Sequence, residues 1–289
     1  MIHLRPGQAD EIRRQFRRLT YDRLTILGFA ILGAIVFMAL AAPLITPYAN
    51  QVGAYTDFTN AYKPPSLVHP FGTDDVGKDV YTQVIFGFRI SLFVALVVLL
   101  TSAPFGIVLG LVAGYYGGWI EAVLERVIDV FLALPALILA LVITGVLGPS
   151  LNDVIIALIS IWWNWYARIM FTLTKQLKNQ PYVEAARVQG AGSLRIMFLE
   201  ILPNASSTLA VKMALDLGFI ILIQSGMGFL GLGARPPTPD LGVLVASGMS
   251  YMATAWWISI FPSIGLSLLI LSFNLIGSGM RDLFDVTVT

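Results

Sequence analysis

The chain has 289 residues, 57% of them hydrophobic and only 12% charged, with a formal net charge of +1 and a mean hydropathy of +0.79. A soluble domain of this length is about a quarter charged, so the composition is that of an integral membrane protein, and the near-neutral balance gives no footprint for nucleic acid. Cysteine is absent, which excludes disulfides, thiolate catalysis and thiolate metal sites together; two histidines, His3 and His69, are too few for a histidine-rich metal centre.

Apolar runs of about 20 residues cross a hydrocarbon core roughly 30 Å thick at 1.5 Å per residue. Six such runs predict six transmembrane helices: Leu24 to Ile45, Ile90 to Ala113, Val127 to Leu147, Val154 to Phe171, Ala205 to Leu230 and Trp256 to Ile276. Helices are preferred to strands because lipid offers no partner for an open backbone and the runs lack the alternation of a barrel strand. An all-α membrane protein follows. It divides into a basic tail (1–23), a first anchor (24–45), an external segment (46–87), a transmembrane domain (88–280) with a polar loop at 174–204, and a short tail (281–289).

The tail carries Arg5, Arg13, Arg14, Arg17, Arg18 and Arg23. The spacing of Arg13, Arg14, Arg17 and Arg18 suits a helix lying on an anionic leaflet, or the arginines only set topology. The first apolar run exceeds the 7–15 residues of a signal peptide, so an uncleaved anchor is expected. Segment 46–87 is rich in turn formers, with Pro47, Pro64, Pro65, Pro70, Gly72 and Gly77. Asp74, Asp75 and Asp79 lack the alternating ligands and terminal Glu of a calcium loop, so no metal is expected there.

In the second span Gly106, Gly110, Gly114 and Gly118 recur every four residues, a ladder that lets another helix approach closely. Pro104 and Pro135 are expected to mark kinks. Glu121, Glu125, Arg126 and Asp129 open the third span, where they are expected within the interfacial zone. The loop after span four holds Arg168, Lys175, Lys178, Arg187 and Arg195, whereas Lys63 and Lys78 in segment 46–87 are outnumbered by Asp57, Asp74, Asp75 and Asp79. The positive-inside bias places both termini and the 174–204 loop in the cytoplasm, which six crossings satisfy. Lys212 and Asp216, four apart on span five, form an intrahelical ion pair or line the inner part of a path.

The polar loop contains Glu184-Ala185-Ala186-Arg187-Val188-Gln189-Gly190, with Pro203 thirteen residues beyond Gly190. Pro181 suits the first turn of a helix, and Glu184 falls where its charge complements the helix dipole. Gly190-Ala191-Gly192 can reverse the chain. A helix so short is marginal alone and makes sense held by a partner. The segment resembles the cytoplasmic coupling loop of ABC-importer permeases: Glu184, Ala185, Ala186, Gly190, Leu202 and Pro203 all fall in register. Glu200 departs from the apolar residue usual three before the proline.

The resemblance covers nearly the whole chain. It includes Phe71-Gly72-Thr73-Asp74-Asp75 and Leu111-Val112-Ala113-Gly114-Tyr115-Tyr116-Gly117-Gly118. It also includes Gly228-Phe229-Leu230-Gly231-Leu232-Gly233 with Pro236, Pro237 and Pro239, and the run from Phe273 to Asp282. Together these are similar to the second, C-type permease of the dipeptide/oligopeptide/nickel family, with the type I ABC importer transmembrane fold. The resemblance implies a heterodimer with a homologous permease, one or two ATPase subunits that bind ATP and Mg, and a substrate-binding protein met by segment 71–75. It implies location in the bacterial or archaeal inner membrane, and as cargo peptides, nickel complexes, glutathione, opines or oligosaccharides.

The chain has no Gly-x-x-x-x-Gly-Lys-Ser/Thr loop, so ATP chemistry belongs elsewhere, and no cofactor is expected in it. A membrane enzyme would need a nucleophile or metal set; Ser225, beside Gly226 and Gly228, is read as helix packing. The alternative is an ion-driven secondary transporter, but no mid-span acidic relay and no paired broken repeat supports it.

Overall fold

The computed structural model describes residues 22–285. The stretch 1–21 lies outside the described residues, and with it the expected surface helix of Arg13, Arg14, Arg17 and Arg18. Eleven α-helices and no strand occur among the described residues. Helix α1 (Arg23–Leu40) starts where the Asp22 carboxylate accepts the Leu24 and Thr25 amides at 3.2 and 3.1 Å, the N-cap geometry that satisfies first-turn donors. A single turn, α2 (Ala42–Ile45), follows.

Segment 46–79 folds onto the Val80 end of α3 (Val80–Tyr116). Asp79 caps α3 by accepting the Thr82 amide at 2.8 Å. At 1.5 Å per residue α3 is about 55 Å long and outreaches the ~30 Å hydrocarbon core. The hydropathy run predicts a start near Ile90, ten residues late. Thr82 and Gln83 interrupt apolarity there, yet both are buried, because the helix end is covered by protein.

Helices α4 (Gly118–Leu132) and α5 (Ala136–Leu147) cover the third apolar run and are bent by 87° from one another. The bend falls at Pro135, which lacks an N–H and drives the preceding residue out of helical conformation. Pro104, by contrast, sits inside an unbroken α3. Helix α6 (Leu151–Leu177) leads to α7 (Pro181–Val188), then to the single turn α8 (Ser193–Arg195). A π-helical stretch (Ile196–Ile201) runs straight into α9 (Leu202–Phe229). Helix α10 (Leu241–Met249) is too short to span and lies against α9 and α11 (Trp257–Asp285). Five helices are long and apolar enough to cross a membrane, and the bent pair, counted as one broken span, makes the six expected.

The α3–α6 pair is the most extensive helix contact. A Cβ on Gly106 or Gly110 would collide with the α6 backbone, and one on Gly114 would lie 2.7 Å from the Thr174 Cβ. Such close approach maximises dispersion contacts where lipid supplies no hydrophobic drive between helices. Gly118, the fourth member of the ladder, plays a different part: it opens α4 at φ 61°, with open space where a Cβ would stand. Helix α1 packs chiefly on α11, with Gly28 against Leu275 and Gly279 against Thr25. Leu40, Phe93, Leu100, Phe105 and Val146 stand exposed on the outside, as lipid-facing residues do.

Candidate functional site: the exposed helix between spans four and five

Helix α7 begins at Pro181, behind a Gln180 whose carbonyl accepts the Val183 and Glu184 amides at 2.9 and 3.2 Å. Glu184 stands in the first turn and Arg187 in the last, each at the end the helix dipole favours. The helix ends in a two-bond lock. The Gly190 amide donates to the Arg187 carbonyl and the Ala191 amide to the Ala186 carbonyl, both at 3.0 Å, with Gly190 at φ 83°. This is the Schellman arrangement, which needs a left-handed residue at its turn.

One side of α7 is seated and the rest is open. Val183 is fully buried and α7 packs on the π-helical stretch, where Ile196, Met197 and Ile201 are buried. Glu184, Ala185, Arg187 and Gly190 are exposed, and Ala186 is half-buried. Val188 (88% exposed) and Leu194 (68%) add apolar surface beside them. A small, exposed, mixed apolar and charged face on a rigidly seated helix is what a partner groove requires.

Pro203 lies at the start of α9, on the exposed side. It cannot donate to the turn before it, and the backbone there is widened: the Leu202 amide donates to the Met197 carbonyl, five residues back. The Asn204 side-chain amide donates to the Glu200 carbonyl at 2.6 Å. Glu200 itself replaces the expected apolar residue and sits near Tyr182; burial and that carboxylate raise the Tyr182 phenol above its ordinary pKa.

Segment 71–75 is largely turned inward. Gly72, Thr73 and Asp74 are buried, and Phe71 stacks on Phe261 at 4.1 Å. The Trp257 indole donates to the Thr73 carbonyl at 3.0 Å, and Asp74 Oδ1 accepts the Val76 and Lys78 amides at 3.0 and 2.7 Å. Burial pushes the Asp74 carboxyl up to about 6. His69 Nδ1 lies 3.0 Å from Asp79 and its ring stacks on Tyr48 at 4.7 Å. Exposed apolar side chains on this cap are Phe58, Leu67 and Val68.

Asp216 is buried at 1% exposure and paired with Lys212, whose ammonium also sits 5.4 Å from the Trp165 ring centroid. Each such group alone costs about 2.5–3.5 kcal/mol at the bilayer centre on insertion scales, so the pair offsets much of that cost. Ser225 is buried and its hydroxyl has no partner among the described residues; Gly242 of α10 packs against its backbone.

Two features lie beyond the sequence reading. Asp240 caps α10, accepting the Gly242 and Val243 amides at 2.8 and 3.2 Å, and takes a bond from Gln224 at 3.2 Å. Glu121, Glu125 and Asp129 of α4 pair across to α6: Lys175 Nζ is 2.6 Å from Glu121, and Arg168 contacts Asp129 and lies 3.8 Å from Glu125. Their spacing, every four residues against cations seven apart, is the signal that shows two facing helical stripes.

These observations define a class: a polytopic helical membrane protein with one short, seated helix between two spans that keeps an exposed face. A profile described as "Binding-protein-dependent transport system inner membrane component" matches residues 106–289, and one for the "N-terminal TM domain of oligopeptide transport permease C" matches residues 11–65. The chain belongs to the binding-protein-dependent permease family of ABC importers, in its dipeptide and oligopeptide branch, and has the type I importer transmembrane fold of an inner-membrane protein. It is 39% identical over 266 residues to a dipeptide transport system permease protein of Escherichia coli (strain K12), covering 90% of this chain and 88% of that protein. It is 37% identical over 273 residues to one of Alkalihalophilus pseudofirmus, covering 94% and 89%. A di/tripeptide transport system permease protein of Pseudomonas aeruginosa (strain UCBPP-PA14) is 35% identical over 280 residues, covering 95% and 91%. Nothing in these relationships favours an ion-driven carrier.

Proposed function

We propose that this chain is one of two homologous permease subunits of an ATP-driven importer, moving peptides or a similar small solute between them. A binding protein delivers the cargo to the outer face, over the cap of residues 46–79. One or two partner ATPase subunits hold ATP and Mg and clamp α7 through Glu184, Ala185, Ala186, Arg187 and Gly190. The ends of the chain and α7 lie in the cytoplasm, as the Arg and Lys distribution favours. Closure of the ATPases on ATP moves α7, and the seat of Val183 on the π-helical stretch passes that motion to α9. The loop must bind one state of the bundle better than the other for ATP to shift the equilibrium.

The observation that carries this reading is α7 itself, a helix locked at both ends yet open on the face that bears the family motif. Co-purification of the tagged chain in mild detergent, with mass spectrometry of what accompanies it, tests it. The expected result is an ATPase and a second six-span permease, with the ATPase lost on Glu184→Lys together with Gly190→Val. Recovery of the intact chain alone or as a homomer in every detergent would overturn the proposal.

A further inference from the structure

We infer that the cap of residues 46–79 holds a binding site for a small neutral polyol, a sugar alcohol or one or two sugar rings, which is retained there and not transported. The site is a cleft of about 570 Å³ whose lining includes Tyr48, Gln51, Tyr55, Lys63, Ser66 and His69. The inference stands apart from the importer reading, because it rests on the cap alone.

Two of these side chains form the floor. Gln51 (5% exposed) comes from the 3₁₀ turn Ala49–Val52, and His69 (8%) closes a turn whose Ser66 amide donates to the His69 carbonyl at 2.8 Å. Both are held from behind by Asp79, itself fully buried. The Asp79 amide donates to Gln51 Oε1 at 2.7 Å, and Asp79 Oδ1 lies 3.0 Å from His69 Nδ1. The Thr82 amide and hydroxyl donate to Asp79 Oδ2 at 2.8 and 2.7 Å, so the carboxylate is an acceptor throughout and His69 Nδ1 carries the proton. That leaves Gln51 Nε2 as a donor and His69 Nε2 as a lone-pair acceptor, and neither has a partner among the described residues. Polar groups on side chains so deeply buried ordinarily find partners, and here both residues line the cleft from which one can enter.

The donor set selects the chemistry. Among the described residues no carboxylate lines the cleft, so a cationic ligand finds no counter-charge. The His69 lone pair repels an anion, and the Lys63 ammonium at the rim is engaged by Asn60 Oδ1. A hydroxyl donates and accepts at once, so two neighbouring hydroxyls can accept from Gln51 Nε2 and donate to His69 Nε2. Tyr48 and Tyr55 supply aromatic surface for the C–H face of a ring, and a few fixed polar groups in such a lining orient a small ligand. The cleft is closed at its back: Thr82 and Gln83 of α3 are buried, and the Gln83 amide reaches the Gln51 carbonyl at 3.5 Å. A ligand admitted there has no onward route. It is held, and it ties the turns at 49–52 and 66–69 to the start of α3.

Saturation-transfer NMR on the full chain in lipid nanodiscs, free of sugar-headed detergent, tests the site with maltose and sorbitol as probes. Gln51→Glu keeps the acceptor for the Asp79 amide and loses the Nε2 donor. His69→Asn keeps an N–H for Asp79 Oδ1 and loses the Nε2 acceptor. The expected result is saturable maltose binding by the unsubstituted chain, weakened about tenfold in each variant, as loss of one buried hydrogen bond implies. With maltose at about ten times its Kd, proteolytic opening of residues 46–79 should slow about tenfold. Glycylglycine at equal concentration should leave the maltose signal unchanged. No saturable signal from either probe up to about 100 mM, equal displacement by glycylglycine, or unchanged affinity in both variants overturns the inference. Proteolysis without probe shows whether each variant's cap is folded; where both open, the glycylglycine competition on the unsubstituted chain decides. ATP-driven accumulation of maltose by the assembled importer in proteoliposomes would overturn retention, whereas failure of the importer to assemble leaves the binding result standing.

Discussion

Replacing Gly190 separates backbone strain from side-chain bulk. Gly190 sits at φ 83° with open space where a Cβ would stand, so within this chain an added side chain meets nothing. The cost is conformational, about 1–2 kcal/mol for an ordinary L-residue held in the left-handed region, and less for Asn, which tolerates it. An eight-residue helix has little stability of its own, so that cost falls on the α7 lock. At 1.4 kcal/mol per tenfold, Gly190→Ala should open the lock roughly 5–30 times more often, with Gly190→Val at the upper end or beyond and Gly190→Asn near threefold. Hydrogen exchange of the Gly190 and Ala191 amides measures the opening, and ATPase affinity for the detergent-solubilised permease measures its effect on the partner. The order Asn, Ala, Val in rising damage is expected in both. If Asn, larger than Ala, proved the more damaging in exchange, strain at φ 83° would not be the cause and the reasoning would fail; if only affinity followed size, volume against the partner would govern docking.

Lys212→Met leaves Asp216 buried without its cation, and breaking such a pair costs about 3–5 kcal/mol; thermal unfolding in detergent should show the loss, and Lys212→Met with Asp216→Leu should recover most of it, whereas equal destabilisation by single and double variants would refute the pairing. On the cap of residues 46–79, the raised Asp74 pKa contributes stability that is fully present below 3.8 and is lost as pH rises through about 6. Proteolytic opening of residues 46–79 should accordingly increase about tenfold, ~1.4 kcal/mol, from pH 5 to 7.5. Asp74→Asn keeps an acceptor for the Val76 and Lys78 amides and should flatten that profile; an unchanged profile would point to another group.

Where a residue's role is set by its own backbone, the sequence carried it. Pro181 and Gly190 bound α7 because a missing N–H and a left-handed φ admit few alternatives, and the apolar runs locate six crossings because lipid demands them. Val183 was different: nothing in the sequence distinguishes it from Val188, five residues on, yet one is buried and the other 88% exposed, a choice made by the π-helical stretch that Val183 meets. Helix α10 was missed because its nine residues, though apolar, are too few to make a membrane-length run. Residues 71–75 read as a motif, but Gly72, Thr73 and Asp74 turn out to organise the cap through Trp257 and the α3 start. The 87° break was legible as a proline and not as an angle, because the angle depends on what α4 and α5 each pack against.

The clasp of α1 on α11, with Gly28 against Leu275 and Gly279 against Thr25, joins the two of the six spans that are farthest apart in sequence. During synthesis α1 must therefore reside in the bilayer without its main neighbour while five crossings follow. Its freedom from charge between Leu24 and Leu40 lets it wait there as a lone span, at no cost in unpaired polar groups. Closure of the bundle around α1 then waits for α11, and a chain stopped before α11 leaves its first helix without its main neighbour.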